Sequence, residues 1–368
     1  RQEVCDLAQS PQQQLQLPSP SPTGIEGSKT SPSSHSPRLE EQSLPALNVL
    51  DLELFYHYTH DTNLTVFSNA ALYKIWTTDV VVDSFQHPFL LHMILAVSAL
   101  HLAHTGSPER RELYRVAAAQ HQQQGLRQFT PMINHITTRN CDALFACATF
   151  IVMFAAAMPQ SPGMDIQAET FEKLFCLAQL TKGVFSIIEG AGEWIRSGKL
   201  CQIFDGDRWD ETQVTPLSND TVTAFESIDQ LINAEGNDHN RAVHAEAMMW
   251  LRKTLNAVHK NIDHPSIGFM FLIFTPPSFM ELLRQKDQLA LVILAHWAII
   301  LHGSRHLWYI KNWGLHLLEA SYQELQPEWR KCITWPMQQL RKTQTADRES
   351  NADPEFAKGN HERPAQNI

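Results

Sequence analysis

Residues 296–318 read HWAIILHGSRHLWYIKNWGLHLL, with four histidines, three tryptophans and a tyrosine in twenty-three positions. His302 and His306 stand four apart, the spacing that turns two imidazoles toward one zinc ion on a helix. Gly-Ser-Arg lies between them, so no glutamate is placed to act as general base. His316 would sit about 15 Å beyond His306 on a continuous helix, too far to complete a ligand set. A helical enzyme using His302 and His306, with or without metal, is therefore the alternative reading only. At 100° per residue, Leu291, Ala295, Ala298, His302, His306, Tyr309, Trp313 and His316 share one stripe if a helix runs unbroken from Leu289 to Leu325. Such a stripe serves either helix packing, the commoner use, or the wall of an apolar ligand pocket. Gly303 and Gly314 interrupt it, each costing about 1 kcal/mol against alanine in a helix interior. They mark a close approach, a kink or a break.

Other chemistry is sparse. FDGDRWDE (204–211) offers Asp205, Asp207 and Asp210; Asp-x-Asp can hold Mg²⁺ or Ca²⁺, but the twelve-residue calcium loop is absent and a solvated loop is the expectation. Six cysteines, at 5, 141, 147, 176, 201 and 332, form no Cys-x-x-Cys pair, which fits separate thiols in a reducing compartment rather than a structural zinc site. No phosphate-binding glycine loop, nucleophile elbow or protease signature occurs. Apolar lining for a ligand would come from Phe145, Phe150, Met153 and Phe154, and from Phe269, Met270, Phe271 and Phe274, although each of these also suits plain core.

The elements that must position these residues are helices. The chain has 368 residues, 43% hydrophobic, with a net charge of -10. The acidic balance, without a basic run, argues against this stretch gripping nucleic acid itself. Residues 1–46 end in a Pro/Ser/Gln-rich stretch too polar to offset the entropy of ordering, and are read as a linker; residues 343–368 read as a disordered tail. RQEVCDLAQSPQQQ at the start has no apolar core and does not read as a signal peptide. From 47 to 342 the pattern is helical almost throughout, without Asn-Gly hairpins or sustained alternation. Asp51 is an expected N-cap for a helix burying Leu54, Phe55 and Tyr58, and Pro88 opens the next. Stretches 87–104 and 143–158 are apolar on nearly every side; several histidines in the first and the shortness of the second favour buried core over a membrane span. The expected fold is all-α.

Several runs carry a resemblance. LNVLDLELFYHYTHDTNLTV, HPFLLHMILAVSALHLAH and YRVAAAQHQQQGLRQF, then ALVILAHWAIILHGSRHLWYIKNWGLHLLEASY and PEWRKCITWPMQQL, occur in this order over residues 47–342. Together they resemble the regulatory region of fungal zinc binuclear cluster transcription factors, nearest the sterol uptake control type. The resemblance implies a multihelical regulatory domain of the fungal-specific transcription factor type, acting in the nucleus or shuttling to it. The implied partners are the transcription machinery, a second copy of the chain, and a sterol or other apolar small molecule. Candidate ligand contacts are Phe145, Phe150, Met153, Phe154, His302, His306, Tyr309 and Trp313. DNA binding and zinc belong in this family to a six-cysteine module that this sequence lacks. Cys5, after Arg1 and ahead of the linker, stands where the last cysteine of that module would fall; the alternative is a tail thiol with no such role. No cofactor is expected in the present chain.

Overall fold

The computed structural model describes residues 47–66, 70–158, 165–204, 217–260 and 266–352. The chain divides into two units, residues 1–49 and 50–368; only residues 47–49 of the first are described, and the packed core belongs to the second. Cys5, the linker, the three aspartates of FDGDRWDE and residues 353–368 lie outside the described residues. Among the described residues there is no β-strand, and the all-α expectation is borne out.

Helix α1 (Val49–His57) passes through a π-helical turn, Tyr58–Thr62, into α2 (Asn63–Val66). Then come α3 (Ala70–Lys74), a second π-helical turn at Ile75–Asp79, and α4 (Val80–Ser84). The longer helices are α5 (Pro88–Thr105), α6 (Arg111–Met132), α7 (Cys141–Ala157), α8 (Ile166–Ser197), α9 (Asn219–Asn233) and α10 (Asp238–His259). α11 (Ser266–Phe274), α12 (Pro277–Arg284), α13 (Gln288–Gly303), α14 (Trp313–Glu324) and α15 (Thr334–Ala352) complete the order.

α5 begins as its sequence dictates, with Pro88 at the first position, where its missing N–H costs nothing. It ends where the Gly106 N–H donates to the Leu102 carbonyl at 2.7 Å. Being apolar on all sides, it needs cover on all sides, and α4, α6 and α7 supply it. By length and hydropathy α5 and α8 are each able to cross a bilayer; in this fold 67% of the apolar window of α5 is buried among its neighbours, as a core helix requires. α7 is buried along nearly its whole length. Its Phe150 meets Tyr58 and Trp76 edge-on, with ring centroids 5.9 and 5.3 Å away. Each such fully buried side chain contributes roughly 1.5–3 kcal/mol.

α13 is the other central helix. Asp287 caps it, accepting from the Ala290 N–H at 2.8 Å, and the same carboxylate oxygen lies 2.9 Å from Nε2 of the fully buried His244 on α10. Burial raises the Asp287 carboxyl pKa, but the hydrogen bonds from His244 and the helix backbone outweigh it and hold the group below its usual range. Asp287→Ala removes both the cap and the partner of a buried imidazole. The expected loss is about 2–4 kcal/mol, and Asp287→Asn, which can still accept from the backbone, should lose less than half of that. Urea unfolding of the two variants checks this; a loss below about 1 kcal/mol for the alanine variant would show that the junction is not held in this way.

Three expectations need correction. The segment 289–325 is not one helix: α13 stops at Gly303, and residues 304–312 fold through successive turns. In these, the N–H groups of Leu307, Ile310 and Trp313 bond to the carbonyls of Ser304, Leu307 and Ile310. Gly303 and Ser304 are weak helix formers, and the reversal lets α14 pack back across α13 and against α8. Asp51 is not an N-cap, because α1 begins at Val49; it lies in the first turn, and its carboxylate is 3.3 Å from His121 Nε2. Finally, α15 runs to Ala352, so the tail boundary drawn at 343 falls inside a helix. Residues 341–352 hold no Gly or Pro, and nothing local stops the helix before Pro354.

Candidate functional site

The break after Gly303 separates the two histidines whose spacing suggested a metal. His302 is buried in the last turn of α13, whereas His306 is exposed on the 304–312 connector. Among the described residues no three His, Cys, Asp or Glu side chains group as metal ligands, and Cys141, Cys147, Cys176, Cys201 and Cys332 form no disulfide. Zinc therefore finds no fitting donor set in the described residues.

The same break creates a cavity of about 290 Å³. The ends of α5 and α7 and the first turns of α8 form part of it, closed by the connector and the start of α14. Tyr309 and Trp313, two of the expected ligand contacts, line this cavity. Trp313 is fixed by its indole N–H, which donates to the Ala156 carbonyl at 2.8 Å. Trp308 beside them lies tilted against His101 of α5, with ring centroids 4.9 Å apart, tying the connector to the first half of the chain. The other expected contacts are not brought there. Phe145, Phe150, Met153 and Phe154 are buried within the main core along α7, and neither His302 nor His306 lines the cavity.

What sequence reasoning missed is the polar part of the wall. Lys173 on α8 lies 3.3 Å from Glu169 and donates to the Met158 carbonyl, also at 3.3 Å. Lys311, His104 and His316 complete that side. His316 fell on the stripe read from the sequence, but nothing local linked it to Lys173 or His104. Burial lowers the pKa of both imidazoles; Lys311 and Arg111 add to the effect at His104, and Lys173 adds to it at His316, where Glu319 opposes it.

Residues 53–206, which include most of α1 and all of α2 to α8, match the family described as "Fungal specific transcription factor domain". The match covers about two-fifths of the chain and places that stretch as similar to this domain. A "Zn(2)-C6 fungal-type transcription factor" of Gibberella zeae is 25% identical over 307 residues, 78% of this chain and 61% of that protein. "Sterol uptake control protein 2" of Candida albicans is 36% identical over 118 residues, 32% of this chain and 16% of that protein. The protein of the same name in Saccharomyces cerevisiae is 30% identical over 189 residues, covering 50% of this chain and 20% of its own length. The chain thus spans about three-fifths of the first relative and a fifth or less of the other two. The matched domain and the relatives are named for transcription and sterol uptake control and not for enzymes.

Within the matched stretch, histidines join the first helices to α5 and join α5 to α6. His57 Nε2 lies 3.1 Å from His101 Nδ1, which also meets the Thr62 hydroxyl at 3.1 Å, and Asp61 holds the other nitrogen of His57 at 3.2 Å. His92 and His121 pair at 3.0 Å. In each pair one ring donates and the other accepts, so neither contact survives double protonation. Burial depresses His57, His92 and His121, and pushes His101 down to about 4 with help from His57 and His104. These pairs join residues 44 and 29 positions apart, and no sequence spacing pointed to them.

Proposed function

We propose that this chain is the regulatory and effector part of a fungal transcription regulator acting on RNA polymerase II genes in the nucleus. The observation that carries the reading is the domain match over residues 53–206, supported by the relative named as a Zn(2)-C6 transcription factor. The mechanism is a population shift: a ligand that favours one packing of the helices changes the surface offered to the transcription machinery, to a second copy of the chain or to nuclear import. The test is fusion of the chain to an unrelated DNA-binding module at a reporter. A several-fold change in output over the module alone is expected, and no change overturns the effector role.

DNA contact is assigned to a zinc cluster outside this stretch, with Cys5 as its last ligand and zinc as its metal. The acidic charge of -10 supports placing that contact elsewhere. Sequencing the transcript upstream of Cys5 decides it: a reading frame without a cysteine-rich module overturns this assignment.

The ligand is taken to be a sterol or another apolar molecule, on the strength of the two relatives named for sterol uptake control. A sterol needs aliphatic and aromatic lining with one or two polar groups. Phe145, Phe150, Met153 and Phe154 offer the lining, with His302, Tyr309 and Trp313 near the break as polar handles. All four α7 residues are now packed against neighbours, so α7 must part from them to admit a plate-shaped ligand. Displacement of a fluorescent sterol by unlabelled sterol tests this; failure to compete overturns the sterol and leaves the regulatory role to the reporter.

A further inference from the structure

Helix α1 is held by polar contacts more than by burial. Of its nine residues only Leu54 is buried, while Leu52 and Tyr56 are exposed. The Ser98 hydroxyl donates to the Leu54 carbonyl at 2.6 Å, and Arg110 and Tyr114 donate to Glu53 at 2.6 and 2.8 Å. Asp51 meets His121, and His57 meets His101. The helix then enters the π-helical turn Tyr58–Thr62, a winding found mostly as single bulges at functional sites. A helix with so little buried apolar area belongs to the part of a fold that opens first. We propose that the His57–His101 pair is an acid-sensitive latch: when the pair takes up two protons, α1 lifts off α5 while the core around α13 stays folded.

The geometry sets how the latch responds. Asp61 lies 3.2 Å from Nδ1 of His57 and fixes the proton there, so Nε2 accepts from Nδ1–H of His101 at 3.1 Å. One added proton can be shared between the rings, but a second sets N–H against N–H and charge against charge. Charged groups face the pair from each element around it. Asp61 and Glu53 favour charge on His57, but burial outweighs them and lowers it. Beside His101 stand Thr62, His104 and the tilted ring of Trp308, while Lys311 of the connector and Arg111 of α6 reach His104. Burial is the first cause that brings His101 down to about 4, with His57 and His104 adding to it and Asp61 opposing. Returned to water, an imidazole titrates near 6.5, so the lifted state binds protons that the closed state refuses. Release therefore strengthens as the pH falls below about 6.5. Glu53 does not drive it, because Arg110 holds that carboxyl below its usual range. The latch is independent of the sterol reading and of the chain's place in transcription.

Hydrogen exchange of the whole chain at about pH 7.5, 6.5 and 5.5, corrected for the intrinsic change of rate with pH, tests the latch. Peptides covering residues 50–57 should lose roughly tenfold in protection between the highest and lowest pH through His101 alone, and more with His57. At each pH they should exchange at least about tenfold faster than peptides from α13, which open only with the core. His101→Gln keeps a donor for His57 and no longer titrates; it should remove the roughly tenfold share of His101 from that fall. His57→Gln, at a half-buried position, keeps an acceptor for His101 and should diminish the fall as well. Protection of residues 50–57 that is independent of pH overturns the latch, as does a fall to the same value as α13 at every pH. A fall of undiminished size in both variants overturns it too.

Discussion

Gly314→Ala is expected to destabilise the protein by about 3 kcal/mol or more, the largest loss foreseen for so small a change. A Cβ at Gly314 would lie 2.4 Å from the Ala298 carbonyl oxygen, 2.6 Å from His302 Cβ and 2.7 Å from the His302 nitrogen. Two of these are backbone atoms and the third is a Cβ, so none can swing aside. α14 would have to lift off α13, opening the core around Leu317 and Leu318. The intrinsic gain of alanine over glycine in a helix, about 1 kcal/mol, is too small to offset that. Gly303 provides the control. It is exposed, nothing lies within 4 Å of its would-be Cβ, and Gly303→Ala should change stability by no more than about 1 kcal/mol, in the favourable direction. Chemical unfolding of both variants reads the contrast directly, and similar midpoints would disprove the close approach of α13 and α14.

Acidification from pH 7 to pH 5 is expected to remove about 4 kcal/mol of stability through two buried histidines alone. His101 and His296 are both buried, and burial is the main cause that brings each down to about 4. The unfolded chain binds protons at both sites once the pH falls below about 6.5, while the folded protein stays unprotonated until near pH 4. Stability is therefore full above about pH 6.5 and falls by about 1.4 kcal/mol per pH unit for each histidine in that window. His57, His92 and His121 are shifted the same way and steepen the fall. His296 permits a clean test. Its ring lies parallel to Trp335 at 5.4 Å and edge-on to Phe225 at 6.0 Å, and Nδ1 is 2.8 Å from the Val292 carbonyl. An aromatic replacement fits this box, and His296→Phe should flatten the slope by about half of the two-histidine contribution. Urea midpoints at intervals from about pH 7.5 to 5 give the slope; an unaltered slope in the variant would clear His296 of any part in it.

The candidate site was legible only in part, and particular residues show why. Tyr309 and Trp313 were found because aromatic side chains dense in one segment stand out in a sequence. Lys173 and His104 were not, because a lone lysine on α8 and a histidine at the end of α5 look like any solvated residues until four separate segments meet. The stripe from Leu291 to His316 failed at Gly303. A helical wheel assumes an unbroken axis, and the glycines did not say whether the chain would pack closely, kink or break. In the structure they do different things: Gly303 ends a helix, and Gly314 lets two helices touch.

The sequence alone determined that the protein is helical. It also determined that α5, α7 and α13 must be covered on every side, since residues apolar all round a 3.6-residue period have no face to give to water. It carried the resemblance that the domain match supports, through ordered runs such as HPFLLHMILAVSALHLAH. Tertiary structure decided which histidines meet, where the helix breaks and what the cavity offers. His57 finds His101, and His92 finds His121, because the turn that follows α1 and the helix α6 both pack on α5. The donors of Trp308 and Tyr309 lose water only when the connector folds against α5 and α7. The reason is range. Periodicity and capping act over three or four residues, while a site is a meeting of residues far apart in the chain, chosen by the packing of whole helices.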